Sequence, residues 1–445
     1  MSTNKKLKVG VGFATGRENF QNVLSTNVYN WKESGLVDNV DVSLNLFVAY
    51  DLTYHETKSE DYTEISQTLK DQLDDIVFID KNNMAKEINR LVHEGVIKTN
   101  EAIKIFGKGY AGQRNAILYY ALKNDIDYLV FLDDDEYPLT VADTKRTALW
   151  GGQEILSTHL EYIDQADVTH GHHCGYVSPI PHIEFDETLS KDEFRLFIEA
   201  ISNDIINWSS VERVMRNGGV TYADTTILSN DAACEVPEIN HAKFISGSNL
   251  CINLTDAKRA LPFYNPPGAR GEDAFLSTLL TDRTVLSIPC YTFHDGFSTY
   301  NALLEGVLPT KLKFISADDE NNIKRFYDAC IGWVRYKPLF LYITQPEDYE
   351  NLIEGMRTRL EATIPHICEF FSEPAFTDIL AELDKYHKNV KKHYREFIET
   401  QTLWEKVVKQ FAKPRTEDTS SAPHRLHGDS SAAHVTDHDY SLPAQ

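Results

Sequence analysis

Between residues 7 and 132, short apolar runs alternate with helical patterns, and that alternation leaves the chain few folds to choose from. Leu7 to Ala14, Val42 to Tyr50, Ile76 to Ile79 and Tyr128 to Leu132 read as strands. Asn83 to Val92 and Gly112 to Lys123 read as helices; in the second, Ile117, Tyr120 and Ala121 fall on one face at i, i+3, i+4 spacing. Short apolar strands alternating with helices predict a parallel sheet covered on both faces, an α/β architecture. In such sheets ligands gather at the carboxyl ends of the strands. Thr15-Gly16-Arg17, Asp80 and Asp133-Asp134-Asp135 stand at three of those ends. One crevice is therefore expected to collect them.

The rest of the chain is less regular. Strands are predicted over Asp167 to His173, Lys243 to Leu254 and Thr284 to His294, and helices over Arg146 to Leu160, Lys191 to Ser202 and Glu272 to Leu280. From about Ile315 long amphipathic helices follow: Asn321 to Tyr342, Pro346 to Phe371 and Pro374 to Phe411. At 445 residues the chain exceeds what one core usually organises. The expected division is an α/β domain over residues 1–314, a helical accessory domain over 315–412, and a disordered tail over 413–445, rich in Ser, His, Asp and Pro.

Bulk chemistry narrows the function. A hydrophobic content of 42% and a charged content of 25% are those of an ordinary soluble protein. The formal net charge of -23 offers no basic field for nucleic acid or for an anionic membrane surface, so neither is expected as a partner. An anionic nucleotide would bind only where a metal or local Arg and Lys residues reverse the field. No apolar stretch approaches the length of a membrane span, and the polar N-terminus carries no signal-peptide pattern. Six cysteines without CxxC spacing fit reduced, buried thiols. The expected location is cytoplasmic.

Three carboxylates at the end of a buried strand, Asp133, Asp134 and Asp135, repel one another unless a cation joins them. Mg²⁺ and Mn²⁺ take oxygen ligands, commonly one or two carboxylates together with substrate phosphates. The simplest use of the triplet is to hold such an ion against a diphosphate; the alternative is a solvated acidic turn closed by Pro138. Gly107 to Asn115 opens a helix with GxGxxG spacing, where Gly109 would let backbone approach an anion and Arg114 would supply a cation. The stretch lacks both a preceding strand and the ending of a P-loop. Glu272-Asp273 in the first turn of a helix is either a capping pair or a source of a general base. His294 at a strand end is a structural residue or a metal ligand. Gly247 interrupts a strand where a ligand or another backbone would come close, so Ser246, Ser248 and Asn249 line an acceptor pocket or form a turn. His170, His172 and His173 lack a second cluster to complete a zinc site. The aromatic residues Phe326, Tyr327, Trp333 and Tyr336 read as core.

Taken in order, these segments resemble the nucleotide-sugar-dependent glycosyltransferases of the GT-A fold, nearest the inverting family 2 type, over about residues 7 to 295. The resemblance implies a Rossmann-like, mainly parallel sheet flanked by helices. It implies Mn²⁺ or Mg²⁺ on Asp135, with Asp133 beside the ribose or metal and His294 at the metal or diphosphate. Thr15, Gly16 and Arg17 would lie along the nucleoside, and Asp80 would contact uracil or ribose. Gly109, Arg114, Asn115, Asp134, Ser246 and Gly247 complete the implied nucleotide-sugar contacts. Asp273 would be the base, with Glu272 beside it. The donor would be a UDP-sugar and the acceptor a carbohydrate or other hydroxyl.

The Gln-x-x-Arg-Trp element of processive synthases is missing. The His after the acidic pair and the helical C-terminal region also occur in retaining GT-A enzymes, so both stereochemical outcomes stand. Two other readings stand beside these: a haloacid dehalogenase-like phosphatase built on Asp133-x-Asp135, although Tyr137 replaces its usual Thr or Val, and a catalytically silent nucleotide-sugar-binding module.

Overall fold

The computed structural model describes residues 6–53, 55–202, 208–230, 232–300, 303 and 306–411. Its strands are β1 (Leu7–Thr15), β2 (Val42–Tyr50), β3 (Asp75–Ile79), β4 (Tyr128–Leu132), β5 (Glu136–Tyr137), β6 (Leu139–Asp143), β7 (Ala148–Gly152), β8 (Val168–Gly175), β9 (Cys234–Glu235), β10 (Leu250–Asn253) and β11 (Val285–His294). One large sheet runs in the order β3-β2-β1-β4-β10-β8-β11-β5, with β9 on β11; β6 and β7 form a separate hairpin. The pairs β1/β2, β2/β3, β1/β4 and β8/β11 are parallel. β10 is antiparallel to both β4 and β8, and β5 and β9 are antiparallel to β11. The protein is thus an α/β structure with a large, mostly parallel sheet flanked by helices.

Both faces of the sheet are covered, as a nearly continuous apolar strand such as β2 requires. Val9, Val11 and Phe13 of β1 pack with Phe20, Leu24, Val28 and Trp31 of the helix Phe20–Glu33. On the opposite face, Phe47, Leu129 and Phe131 pack with Ile117 and Leu118 of the helix Tyr110–Lys123. Strand alternation divides each strand between these two cores.

Three predicted elements differ. Residues 146 to 160 do not form one helix: β7 occupies Ala148–Gly152 and the helix starts at Ile155. Gly151 and Gly152 weaken a helix there, and the segment pairs with β6 instead. The strand expected from Lys243 narrows to Leu250–Asn253. Ahead of it the Gly247 carbonyl accepts a bond from Arg114 rather than from a strand, and Asn249 turns into the left-handed region at φ 49°. The helix expected from Pro374 to Phe411 is two helices, Asp378–Lys388 and Val390–Val408, joined at Asn389.

The C-terminal region is helical, as expected, and it shares its cores with the rest of the chain. Residues of Glu320–Thr344, Tyr349–Phe370 and Asp378–Lys388 pack with Phe194, Phe197, Phe244 and Phe275 in one cluster. Leu403, Trp404 and Val407 of Val390–Val408 enter the core on the sheet face instead. Residues 413–445, expected as a disordered tail, lie outside the described residues. Among the described residues no helix is long and apolar enough to cross a membrane. All six cysteines are free thiols; Cys174, Cys251, Cys290 and Cys330 are buried and Cys234 is exposed.

Candidate active site

Sheet order explains how distant residues meet. The strands β4, β8 and β11 end at one edge of the sheet, and β1, parallel to β4, ends there too. Because β10 runs the other way, its beginning reaches that same edge, with Leu250 opposite Phe131. Asp133–Asp135, Ser246–Asn249 and His294 therefore lie close together despite their separation in sequence. A cavity of about 960 Å³ opens there, lined among others by Arg17, Arg114, Asp133, Asp134, Asp135, Glu272, Asp273 and His294.

The acidic turn is held by arginines. Arg17 Nε lies 3.2 Å from Asp134 Oδ1, and Arg17 Nη2 lies 2.8 Å from Asp135 Oδ2. Thr15 Oγ1 donates to Asp134 Oδ2 at 2.6 Å. Arg114, buried at the start of its helix, reaches Asp133 Oδ1 through Nη2 at 3.0 Å and Glu272 Oε1 through Nε at 3.6 Å. It also donates to the Gly247 carbonyl. Burial, opposed by Arg114 and reinforced by Glu136, Asp135 and Asp134, pushes the Asp133 carboxyl up to about 7. Its side chain is still 32% exposed, so water screens part of that effect. Burial and Asp135 also raise Asp134, against Arg17 and Thr15. Two arginines thus offset part of the repulsion that a carboxylate triplet creates.

A buried brace stands behind this turn. Glu136 Oε1 pairs with His173 Nε2 at 3.0 Å, and Glu136 Oε2 accepts from Ser248 Oγ at 2.5 Å. Burial would raise the Glu136 carboxyl, but His173, His294 and the Ser248 hydroxyl outweigh it and bring it down to about 2. His173 is raised in turn, because Glu136 overcomes the burial that disfavours its cation. The brace ties β5, β8 and the segment before β10 together. His170 and His172 are buried neutral imidazoles, lowered by burial to about 3 and 4.

Across the cavity, Glu272 and Asp273 open the short helix Glu272–Ser277. Burial, then the neighbouring Glu272, push the Asp273 carboxyl up to about 6, despite its bond from the Ala274 N–H and the charge of Arg114. A carboxylate at that value can take up a proton near neutral pH and release it again, which is what a general base needs. Gly247 lets Asp273 come close: a Cβ there would sit 3.3 Å from Asp273 Cβ and 3.4 Å from Arg114 Nη2.

The remaining expected residues lie apart from the cavity lining or serve the backbone. Asp80 caps the helix Lys81–His93, accepting from the Asn83 N–H at 2.6 Å, and does not line the cavity. Asn115 is buried, donates to the Ile105 and Phe263 carbonyls and accepts from the Phe263 N–H. Gly109 caps the helix Tyr110–Lys123 at φ 91°. Nearby, a Cβ on Gly112 would fall 1.9 Å from the Gly107 oxygen, so glycine there admits the chain's own backbone. Ser246 Oγ faces His173 Nε2 at 3.4 Å. Gly16 follows β1 directly and is not part of the lining.

Trp333 and Tyr336, expected as core, pack on it and also belong to a cavity wall from the C-terminal region that the sequence pattern did not bring forward. Arg325, Asp328, Ala329, Gly332, Trp333 and Tyr336 line the cavity from the helix Glu320–Thr344. Their i, i+3, i+4, i+7 spacing was a usable signal, since charged, small and aromatic side chains share a single helix face.

Whether this site fits Mn²⁺ or Mg²⁺ depends on Asp135 and His294. His294 Nε2 lies 3.5 Å from Asp135 Oδ1, and His294 Nδ1 is held 2.9 Å from the Tyr176 carbonyl oxygen. The bond at Nδ1 leaves Nε2 as the ring nitrogen that would meet an ion. Among the described residues no group of three His, Cys, Asp or Glu side chains is arranged to hold an ion alone. Asp135 and His294 are the residues that would hold such an ion, with water and substrate oxygens completing its shell.

No protein-family description and no curated protein matches the sequence. Among solved structures, the chain is similar to the apo form of mouse xyloside xylosyltransferase 1, at 14% identity and a TM-score of 0.18. The match covers 44% of this chain and 58% of that one, so the chain spans a little over half the length of that protein. A likeness of this size carries no argument about activity.

Proposed function

We propose that this protein is a GT-A-type glycosyltransferase that moves a sugar from a nucleotide-sugar, first of all a UDP-sugar, to an acceptor hydroxyl. The observation that carries the reading is one cavity holding Asp135 and His294 on one side and Asp273, raised to about 6, on the other. The order β3-β2-β1-β4 supports it, being the arrangement of nucleotide-binding α/β halves with their crevice beyond the strand ends.

Asp135 and His294 would hold Mn²⁺ or Mg²⁺. When bound, the ion supplies Lewis-acid stabilisation of the departing diphosphate. Arg17, now on Asp134 and Asp135, sits where it can turn to a diphosphate oxygen, and Thr15 keeps Asp134 in place. Asp273 accepts the acceptor hydroxyl proton as the acceptor oxygen bonds to the anomeric carbon. The bond from that carbon to the diphosphate oxygen breaks, its electron pair leaves with the nucleoside diphosphate, and configuration inverts. Free cysteines favour a reducing, cytoplasmic setting.

The test measures nucleotide release from UDP-, GDP- and dTDP-sugars with and without Mn²⁺, in the wild type and in Asp135→Asn. Mn²⁺-dependent release that collapses in the variant is expected. Metal-independent cleavage of simple phosphoesters without nucleotide release would transfer the protein to the phosphatase class.

A further inference from the structure

The face of the helix Glu320–Thr344 that lines the cavity has no part in the donor chemistry above, and its composition is specific. Trp333 is half-buried: one part packs on the C-terminal core and the rest faces the cavity. Arg270 reaches the same wall from the loop that carries Glu272 and Asp273, its stem 3.7 Å from where a Gly332 Cβ would stand. Arg17 is engaged with Asp134 and Asp135, Arg114 with Asp133 and Glu272, and Arg325 with the Gly296 carbonyl and the Phe297 ring. Among the described residues no carboxylate pairs with Arg270. Asp328, from the same helix, lines the same cavity as Trp333. Tyr336 anchors this wall to the catalytic loop, since a Cβ on Gly271 would lie 3.1 Å from its ring.

We propose that Trp333, Arg270 and Asp328 form an acceptor subsite for a neutral saccharide, resting on the glycosyltransferase reading of the same cavity. An indole face matches the C–H face of a pyranose, while a guanidinium and a carboxylate match its hydroxyl rim. The neighbouring carboxylates Glu272, Asp273 and Asp328 disfavour an anionic acceptor. Arg270 stands three residues before Asp273, and both line the same cavity as Trp333.

Two measurements test the subsite. The first titrates neutral p-nitrophenyl hexosides, a serine-containing peptide and octanol into the full chain and follows tryptophan fluorescence, which arises from five residues. Saturable quenching by a hexoside, absent with the peptide and octanol and lost in Trp333→Phe, is expected. It needs no turnover, so it separates failure of the subsite from failure of the transferase reading. The second measures how donor sugar divides between hexoside and water. In Trp333→Phe and in the exposed-site variant Arg270→Gln, the share reaching the hexoside is expected to fall roughly tenfold. No hexoside quenching, preferred quenching by peptide or octanol, or an unchanged division in both variants overturns the proposal.

Discussion

At the scale of single residues, the proposed reaction turns on Asp273. A base has to be unprotonated to act, and burial together with Glu272 holds this carboxyl near 6, above its ordinary 3.8. The rate is therefore expected to be low below pH 6 and to rise through it to a plateau, the sign that follows from a raised carboxyl. Asp273→Asn is expected to lower kcat by roughly 10²–10⁴-fold while changing donor KM little, and to abolish that limb of the kcat/KM profile. A variant that keeps both the rate and the limb would remove Asp273 from the mechanism. The residues that sequence alone brought forward best were those with a local signature: a carboxylate triplet after a buried strand, an acidic pair opening a helix, a histidine ending a strand. All of them line one cavity. Asp80 had the same kind of signature, yet its carboxylate caps a helix. Position at a strand end does not say whether a side chain turns to the ligand or to its own backbone.

At the scale of elements, the brace between Glu136, His173 and Ser248 joins strands far apart in sequence and fixes the turn that carries Asp135. Removing one partner strands a buried charge. Glu136→Ala is expected to cost about 3–5 kcal/mol in urea denaturation, and Glu136→Ala with His173→Ala less than the sum of the two. Additive losses would mean the pair is not coupled. The pH dependence has two limbs. Glu136, lowered from 4.5 to about 2, contributes stability above the upper value and loses it as pH falls toward the lower. His173, raised above 6.5, contributes below that value and loses it as pH rises through its folded value. A second contact of this kind caps the helix Lys191–Ile201, where buried Lys337 donates to the Ala200 carbonyl at 3.0 Å and to that of Ser202. Lys337→Met is expected to cost about 1.5–3 kcal/mol by the same measurement. Neither contact was readable in the sequence. Strand alternation and helical period revealed β1 to β4 and the long helices, because those patterns are local. The early end of the predicted 243–254 strand depends on a guanidinium 133 residues away in the chain.

At the scale of the whole molecule, the question is whether the helices after residue 315 stand alone. Composition and periodicity mark them off, yet their apolar faces are spent on the rest of the chain. Trp404 is buried on the sheet face beside Leu403 and Val407, and its Nε1 donates to the Ala260 carbonyl at 2.8 Å. Lys104 and Glu399 close the same contact at 2.5 Å from the outside. Phe194, Phe197 and Phe275 sit in one cluster with Phe326, Phe376 and Phe397. A helical unit detached from these partners would expose most of the surface that stabilises it, so sheet and helices are expected to unfold together. Calorimetry of the full chain should give one cooperative transition. Trp404→Ala should cost about 3–5 kcal/mol and move that entire transition to lower temperature. The same coupling bears on the proposed activity, because the helix Glu320–Thr344 supplies one wall of the cavity and Gly271, on the loop before Asp273, rests on its Tyr336. Loosening Val390–Val408 at Trp404 should therefore raise acceptor KM at temperatures where the chain is still folded. Two separate transitions, with the Trp404 variant shifting one and leaving the other in place, would mean that the helical region folds independently and that the cavity lies between two mobile bodies.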